Sequence, residues 1–457
     1  MQLYYSDFKK LIRTMIPLWI AQVSTIGMNF MDSTMSGHVS ADDLAGVSVG
    51  ASLFMPILTS SMSVLSAATP MIAQLLGKRD VKEIPRIVRT GLYLSLVIVC
   101  LFALGYVCFI DRIMEGLQLT PRVEYIARYY ILAMVGAFFF EALVIPLRSL
   151  TDTVGTTSIS MGLFLLALPV NGLFNYMFIF GKWGAPAMGG IGAGIATLLT
   201  YVFLLGLFLL VVLRNRKFMG RELFSTWTCY GRDWKEYLSL GIPNGLATFM
   251  ETSLFGFIII FLTKFGTTVM AAHQAAMNFS ALIYVIPFSC SLAMTILVGI
   301  EVGANRLDKA RAFSRLGLLV TLCAAVCTIT FTVTMRGWIS SLYTEEKEVM
   351  ALAQLFLLYC AGWQLFDDIA APIQGILRGY KDAKVPFFLM LLAYWGCCLP
   401  MGLFLDFVMG HGALSYWQGL DFGVGCSAVF LVIRLVIIER RMKEEKLGVR
   451  SGDGGAT

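Results

Sequence analysis

The sequence predicts an all-α polytopic membrane protein: twelve transmembrane helices in two pseudo-symmetric six-helix lobes, a parallel repeat with both termini cytoplasmic. Three observations predict it: an apolar, charge-poor composition, twelve apolar runs of spanning length, and an internal repeat. Of 457 residues, 58% are hydrophobic and 14% charged, and mean hydropathy is +0.76. A soluble domain carries about 25% charged residues, so most of this chain has to face lipid.

The apolar runs lie near 11–35, 47–75, 90–110, 125–146, 157–180, 187–213, 237–263, 268–300, 316–335, 349–374, 385–408 and 417–437. About 20 apolar residues cross a bilayer as a helix. The first run is too long for the apolar core of a signal peptide and reads as the first span. With the N-terminus placed in the cytoplasm, 28 of the 35 Lys and Arg residues fall on the cytoplasmic side. They include Lys78, Arg79, Lys82, Arg86 and Arg89, then Arg214, Arg216, Lys217, Arg221, Arg232 and Lys235. The positive-inside rule then puts both termini in the cytoplasm of a cell (inner) membrane. The net charge of +6 is thereby a matter of topology, and no nucleic-acid partner is expected. The ten cysteines lie mostly inside apolar runs without zinc or redox spacing, so they read as packing residues.

Self-similarity sets the architecture. At a shift of 226, Pro17 meets Pro243, Gly77 meets Gly303, Arg89 meets Arg315 and Gly91-Leu92 meets Gly317-Leu318. At a shift of 230, Leu147-Arg148 meets Leu377-Arg378, Asp152 meets Asp382 and Gly172-Leu173-Phe174 meets Gly402-Leu403-Phe404. Six spans per repeat give both halves the same orientation, a plan used by secondary transporters that alternate access by rocking. The expected domains are an N-lobe 1–222, a C-lobe 223–440 and a cytoplasmic tail 441–457. Prolines interrupt several spans, and the Pro17/Pro243 pair, one turn inside the first helix of each half, is the hinge candidate. No GxxxxGK[ST] phosphate loop is present, so an ion gradient is the expected energy source and no cofactor is expected.

Acids inside apolar spans carry the chemistry, because a carboxylate at bilayer depth costs roughly 2.5–3.5 kcal/mol on insertion scales. Asp32 lies in the first span, three positions from Asn29 and so on one helix face with it. Glu141 lies in the fourth, within two turns of Arg148. Glu251 lies in the seventh, with no basic residue for a dozen positions on either side and nothing expected to neutralise it. Asp367 and Asp368 lie in the tenth, about 100° apart on the helix. A buried carboxylate can hold a proton, a sodium ion or an organic cation, and their competition is the chemistry of an antiporter. Phe255, one turn beyond Glu251, and Tyr284 in the next span offer aromatic faces to a cation. No nucleophile–base pair or metal-ligand set stands out, and His38, His273 and His411 are scattered, so an enzyme is not expected.

These residues are also the ones through which the chain resembles the multidrug and toxic compound extrusion (MATE) family, in particular its NorM-like bacterial branch. The segments are IPLWIAQVSTIGMNFMDSTMSG (16–37), ATPMIAQLLG (68–77), NYMFIFGKWGAPAMGGIGAGIAT (175–197), GIPNGLATFMETSLFGF (241–257) and LRGYKDAKVP (377–386). The resemblance runs from about residue 10 to about residue 440 and implies two six-helix lobes with a large cavity between them. It implies that Asp32 is an N-lobe proton and substrate residue and that Glu251 and Asp367 are the acids of a cation site. Phe255 and Tyr284 match the aromatics of that site. Glu345 and Glu346 fall where some relatives place substrate-contacting acids in the ninth–tenth loop, and Asp368 is an extra acid beside the matched one.

The resulting expectation is a multidrug efflux antiporter, a monomer that exports amphipathic organic cations in exchange for Na⁺ (or H⁺) held transiently at Glu251 and Asp367. The first rival is a flippase for lipid-linked oligosaccharides, or an exporter of one endogenous metabolite. A flippase should line its cavity with Arg or Lys for pyrophosphate, whereas the mid-span ionisable residues here are acids. A channel should repeat its filter residues, but Glu251 aligns with Thr25 and Asp367 with Ala137.

Overall fold

The computed structural model describes residues 2–225 and 230–446. Among them, twelve helices are long and apolar enough to span a bilayer. They are Tyr5–Gly37 (α1), Ala41–Lys78 (α2), Val81–Leu117 (α3), Pro121–Gly155 (α4), Thr157–Phe180 (α5), Gly190–Arg214 (α6), Gly231–Phe265 (α7), Thr267–Gly303 (α8), Leu307–Ser341 (α9), Lys347–Gly379 (α10), Lys384–Phe407 (α11) and Leu414–Glu445 (α12). Each overlaps one of the apolar runs and most extend beyond it, because helical geometry continues until a cap or breaker stops it; α6 starts three residues later than its run, at Gly190, and α11 ends one residue earlier, at Phe407. Ser40 caps α2 by accepting the Asp43 N–H at 3.0 Å, and Pro85 and Pro121 occupy first-turn positions where no N–H is needed. Gly181 closes α5 with φ +68°, a conformation that suits glycine. The last helix runs past residue 440 to Lys446, helped by an Arg441–Glu445 ion pair at 2.9 Å. The remainder of the expected tail, 447–457, lies outside the described residues.

Prolines leave readable marks. α2 is interrupted by a turn at Ser66–Ala67, four residues before Pro70, whose ring and missing N–H oppose a helical bond to the Ser66 carbonyl. In α11 the stretch Leu392–Cys398 is a wide turn with i→i+5 spacing, directly upstream of Pro400, which has no N–H for the Gly396 carbonyl. Such turns inside helices recur at functional positions. A second wide turn, Thr151–Gly155, ends α4.

The helices form two compact units. The N-unit comprises Ile16–Leu76 and Asp80–Gly245; the C-unit comprises Met1–Met15, Gly77–Arg79 and Leu246–Thr457. A single cut between 222 and 223 would not produce them. α1 passes from the C-unit to the N-unit after Met15, and α7 passes the other way after Gly245. Pro17 and Pro243 lie within three residues of these crossings.

In the N-unit, α4 is the central helix, packed against α2, α3 and α6. Phe54, Phe102 and Phe138 meet there edge to face, with ring centroids 5.1–6.4 Å apart. The first turns of α7 belong to this unit: the Tyr237 hydroxyl donates to the Leu65 carbonyl at 2.5 Å, and Asp233 pairs with Arg86 at 2.6 Å. In the C-unit the repeat-equivalent helix, α10, is central among α8, α9 and α12. A ladder of Phe356, Trp417, Trp363 and Phe255 fills its core. Gly375 lets α10 approach α8 closely, since a Cβ there would strike the Ser291 backbone. The start of α1 joins this unit through Lys10, which lies over the Phe313 ring and 3.8 Å from Glu301. Large apolar side chains such as Leu101, Leu104, Val107, Val326 and Phe407 stay exposed, as lipid-facing positions should.

Candidate cation and substrate site

Each unit holds one group of mid-span acids, and the two groups are built on opposite principles. In the N-unit, Asp32 on α1 is 4% exposed. Its Oδ1 accepts from Asn175 Nδ2 on α5, and its Oδ2 from Thr197 Oγ1 on α6, both at 2.6 Å. Asn171, one turn before Asn175, accepts from the same amide at 3.1 Å. Neutral donors to a carboxylate contribute roughly 1.5–3 kcal/mol each, so this acid sits in a built cradle. Asn29 is not part of it; that side chain is exposed, and the partners come from other helices. Glu141 accepts from the Tyr201 hydroxyl at 2.6 Å. The Arg148 guanidinium lies within reach of Glu141, pairs with Asp152 at 3.4 Å and rests over the Phe164 ring.

In the C-unit, Glu251 on α7 and Asp367 on α10 are half-buried and within electrostatic reach of each other. Among the described residues, neither carboxylate accepts a hydrogen bond. Tyr284 on α8, stacked on Phe288 at 6.0 Å, lies within reach of both acids. Asp368 turns into the protein, is 1% exposed, and leaves its Oδ2 without a partner. It is therefore Asp367 that reaches Glu251. Phe255 meets the edge of Trp363 at 6.2 Å and so ends the aromatic ladder one turn from Glu251.

One expectation is corrected here: Glu251 does have a basic neighbour. Arg378, near the end of α10, lies within electrostatic reach of Glu251 and Tyr284. Its Nη2 donates to Ser291 Oγ at 2.7 Å, that hydroxyl donates to the Ala371 carbonyl at 2.5 Å, and its Nε is left without a partner. The sequence contained a signal for it, because Arg378 is the repeat partner of Arg148. Asn175 and Thr197 were also missed; neutral polar residues are too common in spans to stand out.

Glu345 and Glu346 are not brought to these acids. Both are exposed in the α9–α10 connection, where the Glu346 N–H donates to Thr344 Oγ1 at 3.1 Å. About 21 residues of helix at 1.5 Å each, roughly 30 Å, separate them from Asp367. Among the described residues no three His, Cys, Asp or Glu side chains form a metal-binding set. The C-unit group is thus two carboxylates and the Tyr284 phenol, hard oxygen ligands of the kind that suit a small, weakly held cation.

The MatE family model matches residues 17–177 and 243–404, two stretches that begin at the paired prolines of the repeat. The chain is 39% identical over 436 residues to the probable multidrug resistance protein NorM of Halalkalibacterium halodurans, covering 95% of each chain. It is 38% identical over 442 residues to the protein of the same name from Bacillus subtilis, covering 96% of this chain and 97% of that one. Among solved structures, the eukaryotic MATE transporter AtDTX14 superposes with a TM-score of 0.87 at 18% identity, covering 97% of this chain and 99% of that one. The Vibrio cholerae MATE transporter VcmN in its bent form gives 0.85 at 17%, covering 97% and 99%. A Pyrococcus furiosus transporter of the MOP superfamily, described as having a binding pocket of reverse polarity, gives 0.87 at 16%, covering 96% and 97%. With both halves of the repeat matched and this degree of identity along nearly its whole length, the chain belongs to the MATE family of multi-pass membrane transporters and is not an enzyme.

Proposed function

We propose that the protein is a multidrug efflux antiporter of the cell (inner) membrane, exporting amphipathic organic cations by alternating access in exchange for Na⁺. The observation that carries this reading is the contrast between the acids. Both oxygens of Asp32 accept from neutral donors, whereas Glu251 and Asp367 accept from none, and Glu251 faces a through-space cation in Arg378. Carboxylate oxygens without donors are open ligands. A Na⁺ arriving there replaces Arg378 as the partner of Glu251 and disfavours a second cation nearby, so ion binding and drug release are coupled. When the ion leaves, Arg378 resumes the pairing and the site is not left as bare negative charge in a low-dielectric surround. Pro17 and Pro243 lie where α1 and α7 pass from one unit to the other, and they serve as the hinges of the cycle. The relatives' designation as probable multidrug resistance proteins supports drug export. The acidic character of the C-unit group weighs against a pyrophosphate-bearing lipid as cargo, which would require basic residues in that place.

The test is ethidium efflux from vesicles with an imposed Na⁺ or H⁺ gradient, comparing wild type with Glu251→Gln and Asp32→Asn. Na⁺-driven efflux lost in Glu251→Gln is expected. Efflux driven by H⁺ alone and lost only in Asp32→Asn would move coupling to the N-unit. Unchanged efflux by a well-expressed Glu251→Gln would overturn the reading.

A further inference from the structure

The two halves share a scaffold, so residues that depart from the repeat are where function was added. Glu251 stands against Thr25, Asp367 against Ala137, and Tyr394 of α11 against Phe164 of α5. In the N-unit, Phe164 is buried and lies with its ring 4.7 Å from the Arg148 guanidinium. The equivalent arginine in the C-unit is Arg378, the neighbour of Glu251. Tyr394 thus occupies the position whose N-unit counterpart meets the arginine, and in the C-unit that position carries a phenol in place of a phenyl ring.

The backbone at this position is also special to one half. The wide turn Leu392–Cys398 surrounds Tyr394, whereas its counterpart stretch in α5 is regular helix. The turn is anchored to the acid-bearing part of α7. Trp395 Nε1 donates to the Met250 carbonyl at 3.1 Å, one residue before Glu251, and the Trp395 ring meets Phe257 edge to face at 5.1 Å. Tyr394, beside that anchor, is 2% exposed and lies within electrostatic reach of Glu251, Asp367 and Tyr284. Among the described residues its hydroxyl makes no hydrogen bond. A buried phenol within electrostatic reach of two carboxylates, hydrogen-bonded to neither, is suited to donate oxygen lone pairs to a cation held by them.

We infer that the wide turn of α11 is a fourth wall of the cation site: the Tyr394 hydroxyl oxygen ligates the coupling ion, and Trp395 positions Glu251 by holding the α7 backbone. The inference rests on the proposed Na⁺ antiport. It supplies a neutral oxygen from α11 to a ligand set otherwise drawn from α7, α8 and α10. Na⁺ requires several oxygens, and a neutral one adds coordination without adding negative charge that an organic cation would also exploit. Tyr394 therefore raises selectivity for the inorganic ion over the drug at this site.

The test is ²²Na⁺ binding to the purified full-length transporter in wild type, Glu251→Gln and Tyr394→Phe forms, with thermal melting of each. Wild type should bind saturably, Glu251→Gln should not, and Tyr394→Phe should melt as wild type and bind about tenfold more weakly. Tyr394→Phe binding within twofold of wild type, with binding still lost in Glu251→Gln, would overturn the inference and leave the antiport reading standing. No saturable Na⁺ binding by wild type would overturn both. If Tyr394→Phe melts early, Tyr394→Gln and Tyr394→Leu form a second pair that differs in the presence of an oxygen. Tighter Na⁺ binding by Gln than by Leu is expected, and equal binding by the two would refute the ligand role.

Discussion

Removing Arg378 should make the transporter bind its coupling ion more tightly, a direction opposite to that of most binding-site mutations. The guanidinium is held by Ser291 Oγ at 2.7 Å and acts on Glu251 through space. Through-space attraction between unit charges at an effective dielectric near 20 is on the order of a few kcal/mol. An incoming Na⁺ has to displace that attraction. Arg378→Gln keeps a donor for Ser291 but deletes the charge, so Na⁺ affinity should rise by about 30- to 100-fold. Ethidium turnover should fall in the same variant, because the ion is released slowly. Arg378→Lys keeps the charge and should bind Na⁺ within a few-fold of wild type. Isothermal titration with NaCl against a choline chloride background reads affinity, and vesicle efflux reads turnover. Unchanged or weaker Na⁺ binding by an Arg378→Gln protein that melts as wild type would refute the role of Arg378 as resident counter-charge.

Two further outcomes follow from the N-unit cradle and the crossings. Thr197→Val leaves one oxygen of buried Asp32 without a donor and should cost about 1–3 kcal/mol, seen as a lower melting temperature. The penalty should shrink in an Asp32→Asn background, and additive losses in the double mutant would mean that the 2.6 Å bond contributes little. Pro17→Ala and Pro243→Ala each restore one backbone hydrogen bond to α1 or α7. Drug affinity should stay within about twofold in tryptophan-quench titrations while efflux slows several-fold, since a bend and not a contact is removed; efflux at the wild-type rate in both variants would count against hinging there.

How much of this was legible depended on the range of each interaction. The spans were readable because lipid imposes about 20 apolar residues on every crossing, and Glu251 and Asp367 because a charge inside such a run is conspicuous. Arg378 was not, since at the end of α10 it reads as one more basic residue flanking a span. Its repeat partner Arg148 held the clue. The cradle of Asp32 is assembled from α5 and α6, far along the chain, and the spacing to Asn29 favoured a neighbour that the fold leaves exposed. Nothing in hydropathy marks the wide turn of α11; it needs Pro400 downstream and Trp395 anchored on another helix. The exchange of α1 and α7 between units was equally invisible, because a repeat aligns segments without saying which unit each end packs against.

The asymmetry of the two acid groups carries a consequence for the order of exchange. A carboxylate has about four lone-pair sites. At Asp32 two are taken by short bonds to Thr197 and Asn175, so few remain for the several oxygen contacts that Na⁺ demands, whereas a proton or one ammonium group needs a single site. At Glu251 and Asp367 all remain open. The same scaffold, duplicated, therefore offers one acid adapted to a ligand needing one contact and one pair adapted to a ligand needing many. On this argument Asp32→Asn should weaken binding of a primary-ammonium drug probe while ²²Na⁺ binding stays within about twofold. Glu251→Gln should abolish Na⁺ binding and leave probe binding in Na⁺-free buffer nearly intact. Loss of both ligands in either single variant would show that the two groups act as one site, and the division of labour drawn from their hydrogen bonds would fall.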